Sequence, residues 1–139
     1  ILLWTQDGHK TLRLLNKCNR KFEDLGGKTD VGDTTPLDTA IREACEETNN
    51  SIFSNKHTFK ECAAMLYEHA VDSMDAQYND RSKYLLFRVY VHPSMLSMDM
   101  RRFGRTEKTE WGILNHYFQW RWTVPFHNQL HPRLRGLEI

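Results

Sequence analysis

The stretch from Leu25 to Asn50, LGGKTDVGDTTPLDTAIREACEETNN, constrains this chain more than any other. Two glycines open it, and a proline-led helix with a divided surface follows. At about 100° per residue, Leu37, Ala40, Ile41 and Ala44 share one face with Cys45 at its edge, while Glu43, Glu46 and Glu47 gather largely opposite. Such a helix must bury its apolar stripe against the rest of the chain. Pro36 suits a first helical turn, and Thr34 or Thr35 can cap it.

The acidic face carries the chemistry. Like charges three and four residues apart each oppose a helix by a few tenths of a kcal/mol, about 0.2–0.5, and Arg42, one turn before Glu46, is the nearby relief. A divalent cation would reverse the sign, because Mg²⁺ takes hard oxygen ligands from carboxylates and substrate phosphates. The plainer reading of three clustered glutamates is a solvated surface face. What precedes the helix favours the first reading: Gly26, Gly27 and Lys28, then Gly32 and Asp33, give a backbone path that can approach a ligand closely.

Glycine turn, acidic residue, capped helix and REACEE together resemble the Nudix box, G-x5-E-x7-R-E-U-x-E-E-x-G-U with U aliphatic. Arg42, Glu43, Glu46 and Glu47 stand at its R-E and E-E positions, and Gly27 at its opening glycine. Asp33 takes the place of the first glutamate, one residue further from the arginine than the pattern has it. Asn49 replaces the late glycine, a mild change because Asn tolerates the left-handed conformation that ends helices. Ala44 is a small version of U, and Asn50 is not aliphatic.

The resemblance implies an α/β/α sandwich around a mixed β-sheet, and hydrolysis of a nucleoside diphosphate linked to another moiety with Mg²⁺ or Mn²⁺. It further implies Glu43, Glu46 and Glu47 as metal ligands, with Glu46 and Glu47 the primary ones. A loop carboxylate, Glu107, completes the set, with Glu110 beside it as the alternative. Glu43 and Glu107 are both candidates for the general base, and the carbonyl of Gly26 or Gly27 is a further oxygen. Arg42 is expected to hold the box together, since its planar fork suits a carboxylate such as Asp33. Phosphate contacts are expected from Arg20 and Lys28, with Gly26 and Gly27 allowing close approach.

Elsewhere the pattern alone gives an α+β chain. Ile1 to Thr5 and Thr11 to Lys17 read as strands joined by a polar turn, with Leu12 and Leu14 facing one way and Arg13, Leu15 and Lys17 the other. Lys17, Arg20 and Lys21 form a basic cluster. Phe59 to Ala70 fits strand or helix, and Val71 to Lys83 reads as an exposed polar connection. Tyr84 to His92, YLLFRVYVH, is the clearest strand and apolar enough to be central. Ser94 to Lys108 is a basic loop containing Arg101, Arg102 and Arg105. Phe118, Trp120, Trp122 and Val124 alternate with polar residues as a strand with one buried aromatic face. Pro125 to Ile139 reads as a terminal helix or irregular tail. His69 and His92 read as packing or surface groups.

With 139 residues, one domain spanning 1–139 is expected. The chain has no leading Met, so upstream residues are expected to be missing. A net charge of +1 argues no general polyanion affinity. Three cysteines without CxxC spacing point to free thiols and an intracellular setting, cytoplasmic or nuclear. No apolar run reaches membrane length. The partner is then a nucleotide or nucleotide-linked small molecule. Two other readings stand beside it: a cap-removing, RNA-directed enzyme using Arg101, Arg102, Arg105, Arg133 and Arg135 on capped RNA, and a non-catalytic nucleotide sensor. The oligomeric state has no sequence signal.

Overall fold

The computed structural model describes the backbone of residues 1–103, 106–109, 112–115 and 117–139, and the side chains of 1–99, 101–103 and 118–139. Strands β1 (Leu2–Asp7) and β2 (Lys10–Cys18) form a hairpin turned by Gly8 at φ +60°, a left-handed position that glycine takes without steric cost. A second turn, Asn19-Arg20, has positive φ at both residues and returns the chain as β3 (Lys21–Glu23), a strand the sequence pattern does not announce.

Tyr84–Tyr90 is β5. It runs parallel to β1, with Leu2 opposite Arg88, and antiparallel to β4 (Met74–Asn79), so the sheet is mixed in the order β3-β2-β1-β5-β4. Its interior position agrees with its apolar sequence. β8 (Tyr117–Arg121) pairs antiparallel with β2, Leu14 opposite Trp120. β6 (Thr106–Thr109) and β7 (Gly112–Asn115) pair with each other in a separate hairpin.

Each interior strand is apolar on both faces, because the sheet has a layer on each side. Leu3, Leu14, Phe87 and Val89 meet helices α1 (Pro36–Glu47) and α2 (Phe59–Ser73) through Ile41, Ala44, Cys62 and Leu66. Leu2, Leu15 and Leu86 meet Phe22, Leu130 and Leu134 on the other side. The class is therefore α+β with a mixed sheet. The second covering layer is an irregular tail with short 3-10 turns at His127–Gln129 and Pro132–Leu134.

One segment left open by its sequence pattern is settled, and two resolve differently from theirs, each for a physical reason. Phe59–Ser73 is helical because the Thr58 hydroxyl accepts from the Glu61 N–H and Cys62, Leu66 and Ala70 recur every four residues on one buried face. Of Val71 to Lys83, the first three residues end this helix, and Met74–Asn79 corrects the expected connection to a strand. That segment is an exposed sheet edge. Pairing with β5 creates it, since MDAQYN has little β-branched content of its own. In β8, Phe118 is buried and Trp120 half-buried, but the strand stops at Arg121, leaving Trp122 and Val124 exposed.

His69 stacks on Phe53 with ring centroids 5.5 Å apart, and its Nδ1 lies 2.8 Å from the Met65 carbonyl oxygen. No helix among the described residues is long and apolar enough to cross a membrane.

Leu66 is fully buried, whereas Val71 on the same helix is 84% exposed. Leu66→Ala is expected to cost about 2–5 kcal/mol and Val71→Ala under about 0.5 kcal/mol. Urea unfolding of the two variants checks the face on which α2 packs.

Candidate functional site

The site begins where β3 runs into the glycines. Asp24 is fully buried and held from three sides: Arg133 donates to Oδ1 at 2.9 and 3.1 Å, and the Tyr84 hydroxyl and the Ile1 nitrogen donate to Oδ2 at 2.6 and 2.9 Å. Arg133 also lies over the Tyr84 ring at 4.7 Å and donates to the Asp24 carbonyl at 3.1 Å. The tail is thereby locked to the segment that opens the site.

Close packing then selects glycine twice. A Cβ at Gly26 would stand 2.9 Å from the Tyr84 hydroxyl, and one at Gly27 would stand 2.5 Å from the Glu43 carboxyl carbon. The Gly26 N–H donates to Glu47 Oε1 at 2.8 Å. Strand end and helix thus meet backbone to carboxylate.

Arg42 closes the loop between them. Its Nε and Nη2 donate to Asp33 at 3.1 and 3.0 Å, Nη2 also to the Lys28 carbonyl at 2.9 Å, and Nη1 to Glu43 at 2.9 Å and Glu46 at 3.1 Å. The expected fork between Arg42 and Asp33 is present. Thr39 adds a hydroxyl hydrogen bond to Asp33 at 2.9 Å. Bonded chiefly by Arg42, the Asp33 carboxyl is held down at about 2.

Helix α1 is fixed at both ends. Thr35 is the N-cap, in a reciprocal capping box with Asp38, whose carboxylate also accepts from the Tyr67 hydroxyl. At the other end Asn49 and Asn50 take φ of +53° and +56°, the left-handed conformation expected at the late glycine position. The Asn50 N–H returns to the Cys45 carbonyl at 2.8 Å.

The remaining predicted residues are placed less closely. Lys28 is exposed beside the glycines, and Arg20 is exposed in the β2–β3 turn; among the described residues neither side chain has a carboxylate partner. Glu107 lies on β6, and its side chain is outside the described residues, as are Arg105, Glu110 and Trp111. Of the arginines proposed for RNA, Arg133 is committed to Asp24, Arg101 pairs with Asp99 at 2.9 Å, Arg102 lies 3.0 Å from His57 Nε2, and Arg135 donates to the Leu130 carbonyl. A phosphate path along them would compete with these contacts. Arg133, read from the sequence only as part of an RNA path, is a site neighbour through Asp24. Its partner is 109 residues away, and the available signal was an aspartate set between Phe22 and Leu25.

Among the described residues no three acidic, histidine or cysteine side chains stand together as a ready-formed metal centre. Glu43 and Glu46 turn onto Arg42, and Glu47 onto Gly26. The donor set nonetheless fits a hard divalent cation in kind, being all oxygen. Burial pushes Glu47 up to about 8 despite the Gly26 N–H, with Glu43 and Glu23 adding to the rise. A cation placed there would relieve that penalty. Beside the glycines opens a cavity of about 160 Å³, lined by Thr29, Pro36, Thr39, Tyr84 and Phe87 among others.

The Asp33–Arg42 pair gives a pH signature. A carboxyl depressed to about 2 contributes stability that is complete above its unfolded value near 3.8 and lost as pH falls through 2. Asp33→Asn should lower the urea midpoint at neutral pH and flatten its fall between those two values, while leaving the rest of the acid limb in place. Compared with protein-family models and with curated proteins, the sequence matches none.

Proposed function

We propose that this chain is a divalent-metal-dependent hydrolase that cleaves a pyrophosphate bond in a nucleoside diphosphate linked to another moiety. The observation that carries the reading is the Arg42 fork. One guanidinium ties Asp33 and the Lys28 carbonyl to Glu43 and Glu46, so the glycine path lies against the helix carboxylates. This is the association that the resemblance of the Gly27 to Asn50 stretch to the Nudix box implies.

Glu46 and Glu47 are the primary metal ligands in this proposal, with Glu43 beside them and Glu107 contributing from β6. Bound Mg²⁺ or Mn²⁺ would neutralise the phosphates and acidify a water. The chain's own residues do the rest. Gly26 and Gly27 admit the phosphates to the helix without a Cβ in the way, and Lys28 and Arg20 offer charges that no carboxylate among the described residues has claimed. Glu43 or Glu107 takes the proton from water. Arg42 acts on position: it fixes two of the carboxylates and touches no phosphate. The cavity beside the glycines gives room for a group joined to the diphosphate. An intracellular setting, cytoplasmic or nuclear, goes with the three free thiols.

The test is phosphate release from sugar nucleotides, dinucleoside polyphosphates, nucleoside triphosphates and capped RNA, with Mg²⁺ or Mn²⁺. Metal-dependent turnover of one class, falling by at least about 10²-fold in Glu47→Gln with the fold retained, is the expected result. Undiminished hydrolysis by Glu47→Gln would refute the ligand assignment. Nucleotide binding without turnover by the parent chain would convert the reading to a sensor domain. Gly27→Ala supplies a second check. Its new Cβ would displace the Glu43 carboxylate, the flexible end of a side chain, so turnover should fall far more than the unfolding midpoint.

A further inference from the structure

Two thiols unused by the proposed hydrolysis meet beneath the same helix. Cys45 on α1 and Cys62 in the first turns of α2 are both fully buried, and Cys45 Sγ donates to Cys62 Sγ at 3.2 Å. The third cysteine, Cys18, is half-buried at the end of β2, so all three are free and only two are paired in space. Closing a contact of that length to the roughly 2.05 Å of a disulfide moves each sulfur by about half an ångström. A change of that size lies within side-chain adjustment and leaves both helices in register.

Sequence spacing does not show this pair. The cysteines are separated by 17 positions, with the end of α1, a loop and the start of α2 between them. They come together because each lies on the buried stripe of its helix, and the two stripes face one another in a single cluster with Leu66 and Ile41.

We propose that Cys45 and Cys62 form a reversible dithiol–disulfide site, oxidised by a small two-electron oxidant of the peroxide class. One sulfur attacks the peroxide oxygen, forming a sulfenic acid and releasing one water. The other sulfur displaces the sulfenic oxygen as a second water. Two thiols and one hydrogen peroxide thus give one disulfide and two waters. Electrons pass from sulfur to peroxide, and a thiol reductant reverses the bond.

The arrangement favours Cys62 as the attacking sulfur. Its pKa is held below the ordinary thiol value, chiefly by the hydrogen bond from Cys45, with burial opposing and the Ile52 backbone adding to the fall. Its place near the start of α2 works in the same direction. Cys45 then acts as the resolving thiol. The product would pin α1, which carries Glu43, Glu46 and Glu47, to α2.

The experiment uses the whole chain carrying Cys18→Ser, which removes the most accessible thiol and with it disulfide-linked dimers. Treatment with hydrogen peroxide should cost the monomer both remaining thiols and the mass of two hydrogens. Peptide mapping should join the peptides holding Cys45 and Cys62, and dithiothreitol should restore the thiols. The oxidised form should melt at a higher temperature than the reduced one, since a cross-link between distant positions constrains the unfolded chain. Cys45→Ala in the same background should instead stop at a singly oxidised Cys62. Two thiols still titratable after unfolding of the peroxide-treated protein would overturn the proposal, as would added oxygen atoms without a cross-link.

Discussion

The Arg42 guanidinium is the interaction on which the candidate site depends. Three glutamates on little more than one turn of helix repel each other, and the loop from Gly27 to Asp33 has few apolar side chains with which to fold. One planar cation addresses both problems, because its five N–H donors point in fixed directions that a lysine could not imitate. Asp33 and the Lys28 carbonyl satisfy one side and Glu43 and Glu46 the other. The departures from the box pattern are absorbed at this point. The shorter Asp33 still reaches Arg42 across one additional residue, and Thr39 steadies it from the helix.

A second electrostatic knot lies at the opposite end of the glycines. Burying Asp24 would be costly alone, but Arg133 and Tyr84 satisfy it, and the Arg133 guanidinium lies over the Tyr84 ring. Since Arg133 comes from the tail and Tyr84 begins β5, the pair joins three distant parts of the chain directly behind Gly26. The tail therefore does more than cover the second face of the sheet. It fixes the backbone whose N–H meets Glu47. The carboxylate of Glu47 lies between that N–H and two other acids, and its burial works against the charged form.

Beneath the helix, the Cys45–Cys62 contact shows how burial and reactivity can share a position. Both sulfurs serve as small apolar groups where α1 meets α2, and their separation also gives them chemistry with each other. That chemistry is independent of the carboxylate face, which looks the other way.

The local elements were legible in the sequence wherever one residue type dictates one conformation. Pro36 and Thr35 start α1, the period of Leu37, Ala40, Ile41 and Ala44 sets its buried stripe, Asn49 ends it, and the unbroken apolar run of β5 fixes that strand as interior. The fork between Arg42 and Asp33 was readable too, because its partners are close in sequence and complementary in shape. Four things were decided only in three dimensions. For Phe59–Ser73 the Thr58 cap and the spacing of Cys62, Leu66 and Ala70 lean towards a helix, and the sheet face that receives this stripe decides between the two periods. Met74–Asn79 is a strand because β5 offers a free edge. Arg133 joins the site because the tail covers the sheet beside Asp24, and Cys62 meets Cys45 because α1 and α2 pack side by side on the other face. Periodicity and capping act within a few residues of one another, whereas edge pairing and buried charge act between segments whose separation along the chain leaves no local mark.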